Sequence, residues 1–320
     1  MLPKDLYSFM QYFSENKIDI FSQFYLALKV RILEKLHSLF DIIAFSSLIL
    51  AITGGFGVYA SCSIENIPWC PASAIIMTLV SFSVYNLNRK TDEQEDKINH
   101  LKRFSFTKKF EKPLLFGALF SYALALTISA FYGIDALIVA CIPLISGILY
   151  SESILPPSWR FRRLKEIPVV KNVFVASAWA LTLSLLPVCI VSSVPGQDVL
   201  ISGIFFFTYV FMASVLPDIR DREGDSIVGV VTLPVLIGIP RTNIILIVIT
   251  SILGGLIFLT RSPFASQDII FIFGIFYIFF CILSMGRFVR TNFVCDYLAD
   301  GGFILLGLLS LILDLPGLIN

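Results

Sequence analysis

Asn88, Asp92 and Asp96 stand at i, i+4 and i+8. At about 100° per residue, a helix gathers the three within an arc of about 80°. Asn99 and Arg103 fall inside the same arc. One face would then carry two amides, two carboxylates and a guanidinium. Carboxylates one turn apart repel unless something positive lies between them. A hard divalent cation with a phosphate answers that need, because Mg2+ favours one or two carboxylates plus substrate oxygens. A second acidic run, LPDIRDREGD at 216–225, holds Asp218, Asp221 and Asp225 at i, i+3 and i+7, within about 60° of helical arc. A third polar stretch, residues 159–172, supplies Lys165, Lys171 and Asn172. Its Arg160–Lys165 portion has a plainer reading as well, as a membrane-topology signal.

Three such elements on one membrane face would make one site. The two carboxylate clusters would hold Mg2+ ions. Arg103, Lys165 and Lys171 would clamp a diphosphate, and Asn88 and Asn172 would ligate or hydrogen-bond. A diphosphate held this way leaves readily, since its developing charge is already neutralised. Were the rest of that substrate a long isoprenoid, an apolar bundle would be its natural solvent. The phenol face of Tyr85, one turn before Asn88, would then stabilise an allylic cation without trapping it.

The elements that position these residues must lie in a membrane. Of 320 residues, 57% are hydrophobic and 15% charged, with a mean hydropathy of +0.85, far above a soluble average. A net charge of +1 gives no reason to expect a nucleic-acid partner. Residues 1–36 mix Phe, Tyr, Leu and Ile with Lys and Glu. They read as an amphipathic segment at the membrane surface, without a secretory signal peptide. Apolar runs follow at about 39–61, 71–90, 113–132, 134–151, 168–191, 198–217, 240–260, 267–287 and 300–317, each near the roughly 20 residues a bilayer requires. With the N-terminus cytoplasmic, every Lys and Arg except Arg261 falls on the cytoplasmic side, as the positive-inside bias predicts. Both Asp-rich runs share that side. The six cysteines show no CxxC pair and read as packing residues, with Cys62 and Cys70 able to pair if their loop faces an oxidising space. Two histidines are too few for a His-based metal site. Asp296 and Asp300 read as caps of the last helix or as cavity-lining groups, with capping the leading reading.

The sequence resembles the UbiA superfamily of intramembrane prenyltransferases. Its first signature, N-x-x-x-D-x-x-x-D, is matched by Asn88, Asp92 and Asp96, and its usual continuation to Asn and Arg by Asn99 and Arg103. Its second, D-x-x-D-x-x-x-D followed by Gly and Thr-Leu-Pro, is matched by Asp218, Asp221, Asp225, Gly229 and Thr232–Pro234. The prolines that many members carry after the first motif are replaced by Leu101 and Phe104, and Arg89 stands where many have Asp. The resemblance implies an all-α membrane protein, a nine-helix transmembrane bundle around a central cavity capped by cytoplasmic loops. The domain would occupy residues 37–320, behind the 1–36 surface segment. It implies Mg2+-dependent transfer of a polyprenyl chain from its diphosphate, as catalysed with Asp92, Asp96, Asp218, Asp221 and Asp225. Asn88 would join these five as a metal ligand. Tyr85, Asn99, Arg103, Lys165, Lys171 and Asn172 would bind substrate. The acceptor would be an aromatic quinone precursor or a polyprenylglyceryl phosphate lipid. Carotenoid or porphyrin prenylation, terpene cyclisation and, in another class, cation transport remain as alternatives. Carboxylates at helix ends rather than mid-span favour the enzyme over a transporter.

Overall fold

The computed structural model describes residues 25, 28–31, 39–159, 161–260, 268–285 and 294–314. The expected amphipathic N-terminal segment therefore lies almost wholly outside the described residues, as do Arg160, Arg261, Arg287 and Arg290. Contacts divide the chain between Ile43 and Ala44, and everything below concerns the second unit.

Helices run almost without interruption, and there is no strand among the described residues. They are α1 (Leu48–Glu65), α2 (Pro71–Thr91), α3 (Glu93–Asn99), α4 (Leu101–Lys109), α5 (Glu111–Tyr132), α6 (Ile134–Ser151), α7 (Val170–Ile190), α8 (Gln197–Val228), α9 (Leu233–Ile237), α10 (Ile239–Thr260), α11 (Asp268–Ser284) and α12 (Asp300–Leu313). A 3-10 turn, Leu164–Glu166, precedes α7, and a π turn, Val294–Ala299, precedes α12. Punctuation is local. Pro71 opens α2, Gly133 separates α5 from α6, and Gly229 ends α8 at φ 77°, a left-handed conformation cheap only for glycine.

Five of these helices are long and apolar enough to cross a membrane, or six if the bent pair Leu39–Phe45 and Leu48–Ile64 forms one span. Two shorter apolar helices follow, Asp268–Ser284 and Tyr297–Leu313. The second expected run falls short of that test for a physical reason. The last turns of α2 are polar, with Asn86, Asn88, Arg89 and Lys90. The eighth and ninth runs extend into undescribed residues.

Neighbour follows neighbour around a closed ring. α1 packs on α2, α2 on α5, α5 on α6, α6 on α7, α7 on α8, α8 on α10, α10 on α11, α11 on α12, and α12 returns to α1. α8 also touches α1 and α11, and its Phe205, Phe206, Tyr209, Val215 and Leu216 are fully buried. Small residues permit the tightest seams. A Cβ on Gly307 of α12 would lie 2.7 Å from the backbone oxygen of Phe56 on α1. The outward faces of α5, α6 and α10 expose Phe116, Phe120, Phe131, Ile138, Ile244 and Ile252. An apolar surface of this extent belongs against lipid. The six cysteines are free, with Cys62, Cys281 and Cys295 buried.

Candidate active site

The first Asp-rich stretch is three helices rather than one. α2 ends at Thr91, α3 runs to Asn99 and α4 begins at Leu101. The joint at Asp92 is gentle. Asp92 N–H still donates to Asn88 O and Asp96 N–H to Asp92 O, so Asn88, Asp92 and Asp96 keep helical spacing. The joint at His100 is sharp, with φ −139° and ψ 58°. Across it Arg103 still faces Asp96, its Nε 3.2 Å from Asp96 Oδ2 and its Nη2 paired with Asp96 Oδ1. The second stretch extends α8 beyond Pro217, so Asp218, Asp221 and Asp225 share one helix.

Each carboxylate has a polar partner in the protein. Lys165, from the 3-10 turn, places Nζ 2.7 Å from Asp92 Oδ1 and 3.3 Å from Glu95 Oε1. Burial holds the Asp92 carboxyl above the ordinary aspartate range, against the pull of Lys165. Lys171, in the first turn of α7, places Nζ 2.6 Å from Asp218 Oδ1. Asn172 Nδ2 donates to Asp218 Oδ2 at 3.2 Å and to Ser214 O at 3.1 Å. Asn99 Nδ2 donates to Asp225 Oδ1 at 3.1 Å. Asp221 is engaged at both oxygens. Arg220 Nε lies 2.8 Å from Oδ1, and His100 Nε2 lies 3.1 Å from Oδ2.

Two of these contacts, Asn99–Asp225 and His100–Asp221, join the motifs directly. Gly224 makes the first possible, since a Cβ there would lie 1.7 Å from Asn99 Oδ1. Asn88 stands beside α6, its Oδ1 3.6 Å from where a Cβ on Gly147 would sit. Tyr85 stacks on Trp179 of α7, with centroids 5.5 Å apart and planes 5° apart. Both rings line a small, partly open pocket between α1, α2, α7, α8 and α12. Met77, Leu183 and Phe303 supply apolar wall, and Asp300 is the one carboxylate among the lining residues. Asp300 stands in the first turn of α12, after Ala299 at the N-cap position, and also lines the pocket. The Asp296 side chain lies outside the described residues.

Sequence reasoning missed several participants. Glu95 shares Lys165 with Asp92. His100, set aside as a poor metal ligand, bridges the motifs. The hydroxyl of Tyr150, at the end of α6, sits within the electrostatic reach of Asp92, Asp218, Glu95 and Asp225. As one of 11 tyrosines with no motif spacing, it carried no signal in the chain.

Among the described residues, no three His, Cys, Asp or Glu side chains stand close enough to share one metal ion. The donor set is nonetheless one for a hard cation, carboxylate and amide oxygens without sulfur. Asn172 Oδ1, in a residue only 2% exposed, has no hydrogen-bond partner and stands beside Asp218 as an oxygen available for ligation. The residues therefore fit an oxygen-ligated divalent ion, provided the lysines release their carboxylates.

A family model described as the UbiA prenyltransferase family matches residues 44–293. No curated protein sequence matches the chain. Among solved structures, a UbiA homologue from Archaeoglobus fulgidus bound to GPP and Mg2+ aligns with a TM-score of 0.58 at 17% identity, covering 86% of this chain and 98% of that one. A digeranylgeranylglyceryl phosphate synthase aligns at 0.52 and 16% identity, covering 85% and 96%. An apo UbiA homologue from Aeropyrum pernix K1 aligns at 0.55 and 13% identity, covering 81% and 98%. At these identities the likeness is one of fold.

Proposed function

Because the chain belongs to the UbiA prenyltransferase family, and is thus a multi-pass membrane prenyltransferase, we propose that it moves a polyprenyl chain from its diphosphate to an acceptor in a Mg2+-dependent reaction. The acceptor is either an aromatic quinone precursor or a polyprenylglyceryl phosphate lipid. One observation carries this reading. Two carboxylate clusters with interleaved lysines meet at the helix ends adjoining an aromatic-lined cavity. The ligands of the solved relatives, GPP or DMAPP with Mg2+, agree with the donor class found here. The digeranylgeranylglyceryl phosphate synthase gives the lipid acceptor its place beside the aromatic one.

Each residue then has work to do. Asn88, Asp92 and Asp96 hold metal from one side, and Asp218 and Asp225 from the other. Asp221, engaged by Arg220 and His100, chiefly ties the cap to α8 and completes the acidic cluster. Bound Mg2+ supplies the positive charge that stabilises the departing diphosphate. Lys165, Lys171, Arg103, Asn99 and Asn172 orient the phosphates. The C1–O bond breaks with its electron pair going to diphosphate, and the acceptor attacks the allylic carbon. A carboxylate of the second cluster takes the proton the acceptor loses. Tyr85 and Trp179 offer π faces to the cation and exclude water from it.

The closed ring of nine helices supports nine crossings. The distribution of basic residues supports a cytoplasmic N-terminus and a cytoplasmic site. The test is transfer from radiolabelled geranylgeranyl diphosphate by protein in lipid, with Mg2+ and two acceptor pools, aromatic acids and geranylgeranylglyceryl phosphate. A labelled product from one pool identifies the acceptor class. Asp92→Ala and Asp218→Ala should each abolish it while inserting normally. Full activity in either variant would sink the two-cluster site, and a labelled product needing no acceptor would indicate cyclisation.

A further inference from the structure

Lys165 and Lys171 occupy the carboxylate oxygens that a divalent ion would need. Lys165 Nζ is 2.7 Å from Asp92 Oδ1, and Lys171 Nζ is 2.6 Å from Asp218 Oδ1. Neither ammonium can simply turn to water. The Lys165 side chain is 9% exposed and that of Lys171 12%. A buried ammonium stripped of its partner carries a large desolvation cost. A metal ion arriving alone must impose that cost on two lysines. A diphosphate arriving alone meets Asp92, Glu95, Asp96, Asp218 and Asp225, whose negative charges repel it. When both arrive, metal takes the carboxylates and the lysines turn to phosphate oxygens, so every buried charge regains a partner.

We propose that Lys165 and Lys171 are exchangeable counter-ions that couple the two ligands, so that metal and diphosphate bind as a cooperative pair and each binds weakly alone. This rests on the site assignment above and goes beyond it. It assigns the two lysines a second partner and predicts a coupling between ligands that simple phosphate contact would not require. By linkage the enhancement is reciprocal: pyrophosphate tightens metal binding by the factor with which metal tightens pyrophosphate binding.

The experiment measures Mn2+ binding to the purified full chain by electron paramagnetic resonance, with and without inorganic pyrophosphate. In the wild type, pyrophosphate should tighten Mn2+ binding by about tenfold or more. Lys165→Met and Lys171→Met should each tighten binding of the metal alone and shrink the pyrophosphate enhancement. Lys165→Arg should act in the opposite sense on the metal alone, because a bidentate guanidinium grips Asp92 more firmly. It retains the charge, and it carries the test if the Met variant fails to fold. An enhancement unchanged in the folded lysine variants overturns the coupling. Wild-type affinity for metal with pyrophosphate in both Asp92→Asn and Asp218→Asn would instead overturn the site assignment itself.

Discussion

Gly224→Ala should destabilise the protein in one background and stabilise it in another. The new Cβ would lie 1.7 Å from Asn99 Oδ1 and 2.9 Å from Asn99 Cγ. Those are the far atoms of a side chain, so Asn99 swings away and the helices stay where they are. The motion breaks the 3.1 Å bond from Asn99 Nδ2 to Asp225 Oδ1. Asp225 is 7% exposed, and a hydrogen bond to a buried charge contributes about 2 kcal/mol. Against that loss, replacing a helix-interior glycine by alanine gains about 1 kcal/mol. The single variant should therefore be less stable by about 1 kcal/mol, and Asn99→Ala by about 2 kcal/mol. Once Asn99 is already alanine, the clash is gone and only the helix gain remains. Gly224→Ala then stabilises by about 1 kcal/mol, a change of sign. The assay is a double-mutant cycle of unfolding in mixed micelles of rising SDS fraction, with prenyl transfer measured in parallel. Transfer should fall similarly in both single variants and no further in the double. Additive effects in the cycle would refute the account, because they would mean that Gly224 and Asn99 do not share one contact.

Tyr150→Phe removes a hydroxyl within electrostatic reach of four carboxylates and should lower the transfer rate, with unfolding unchanged. Unaltered steady-state kinetics at saturating Mg2+ would show that the hydroxyl takes no part. Gly307→Ala drives a methyl toward the Phe56 backbone oxygen, 2.7 Å away. Since main chain cannot swing aside, unfolding in mixed micelles should show a loss of about 1–3 kcal/mol. Gly255→Ala on α10 meets nothing within 4 Å and should be neutral or stabilising in the same measurement.

The carboxylates of the site were legible in the chain because spacing on a helix survives a gentle joint. Asp92 breaks α2 from α3, yet the hydrogen bonds on either side of it keep the rise and turn, so Asn88, Asp92 and Asp96 stay in register. Arg103 lies beyond the sharper joint at His100, yet it too meets Asp96, which the count along one helix had placed in the same arc. Charge alone marked out Lys165 and Lys171. Their pairing with Asp92 and Asp218 depends on how a 3-10 turn and the first turn of α7 approach the other elements. Tyr150 and Gly224 act through what stands opposite them, which no local pattern encodes. The membrane crossings were legible wherever apolar runs were uninterrupted. They blurred at α2, where one helix serves lipid at one end and the polar site at the other.

The return of α12 to α1 bears on how the protein is made. The contacts that close the ring join residues nearly a whole chain apart. Thr53 Oγ1 donates to Asp300 O at 2.9 Å and Tyr59 Oη to Asp314 Oδ2 at 2.9 Å. α1 enters the membrane early in synthesis and must wait for α12 to leave the ribosome. Until then the cavity beside Tyr85 and Trp179 has no α12 wall and stands open to lipid. On the function proposed above, a nascent chain therefore lacks one wall of the pocket in which the allylic cation would be held. Deletions that remove α12 should yield inserted protein that lacks the Asp300 and Phe303 wall of the pocket while every motif residue stays in the chain.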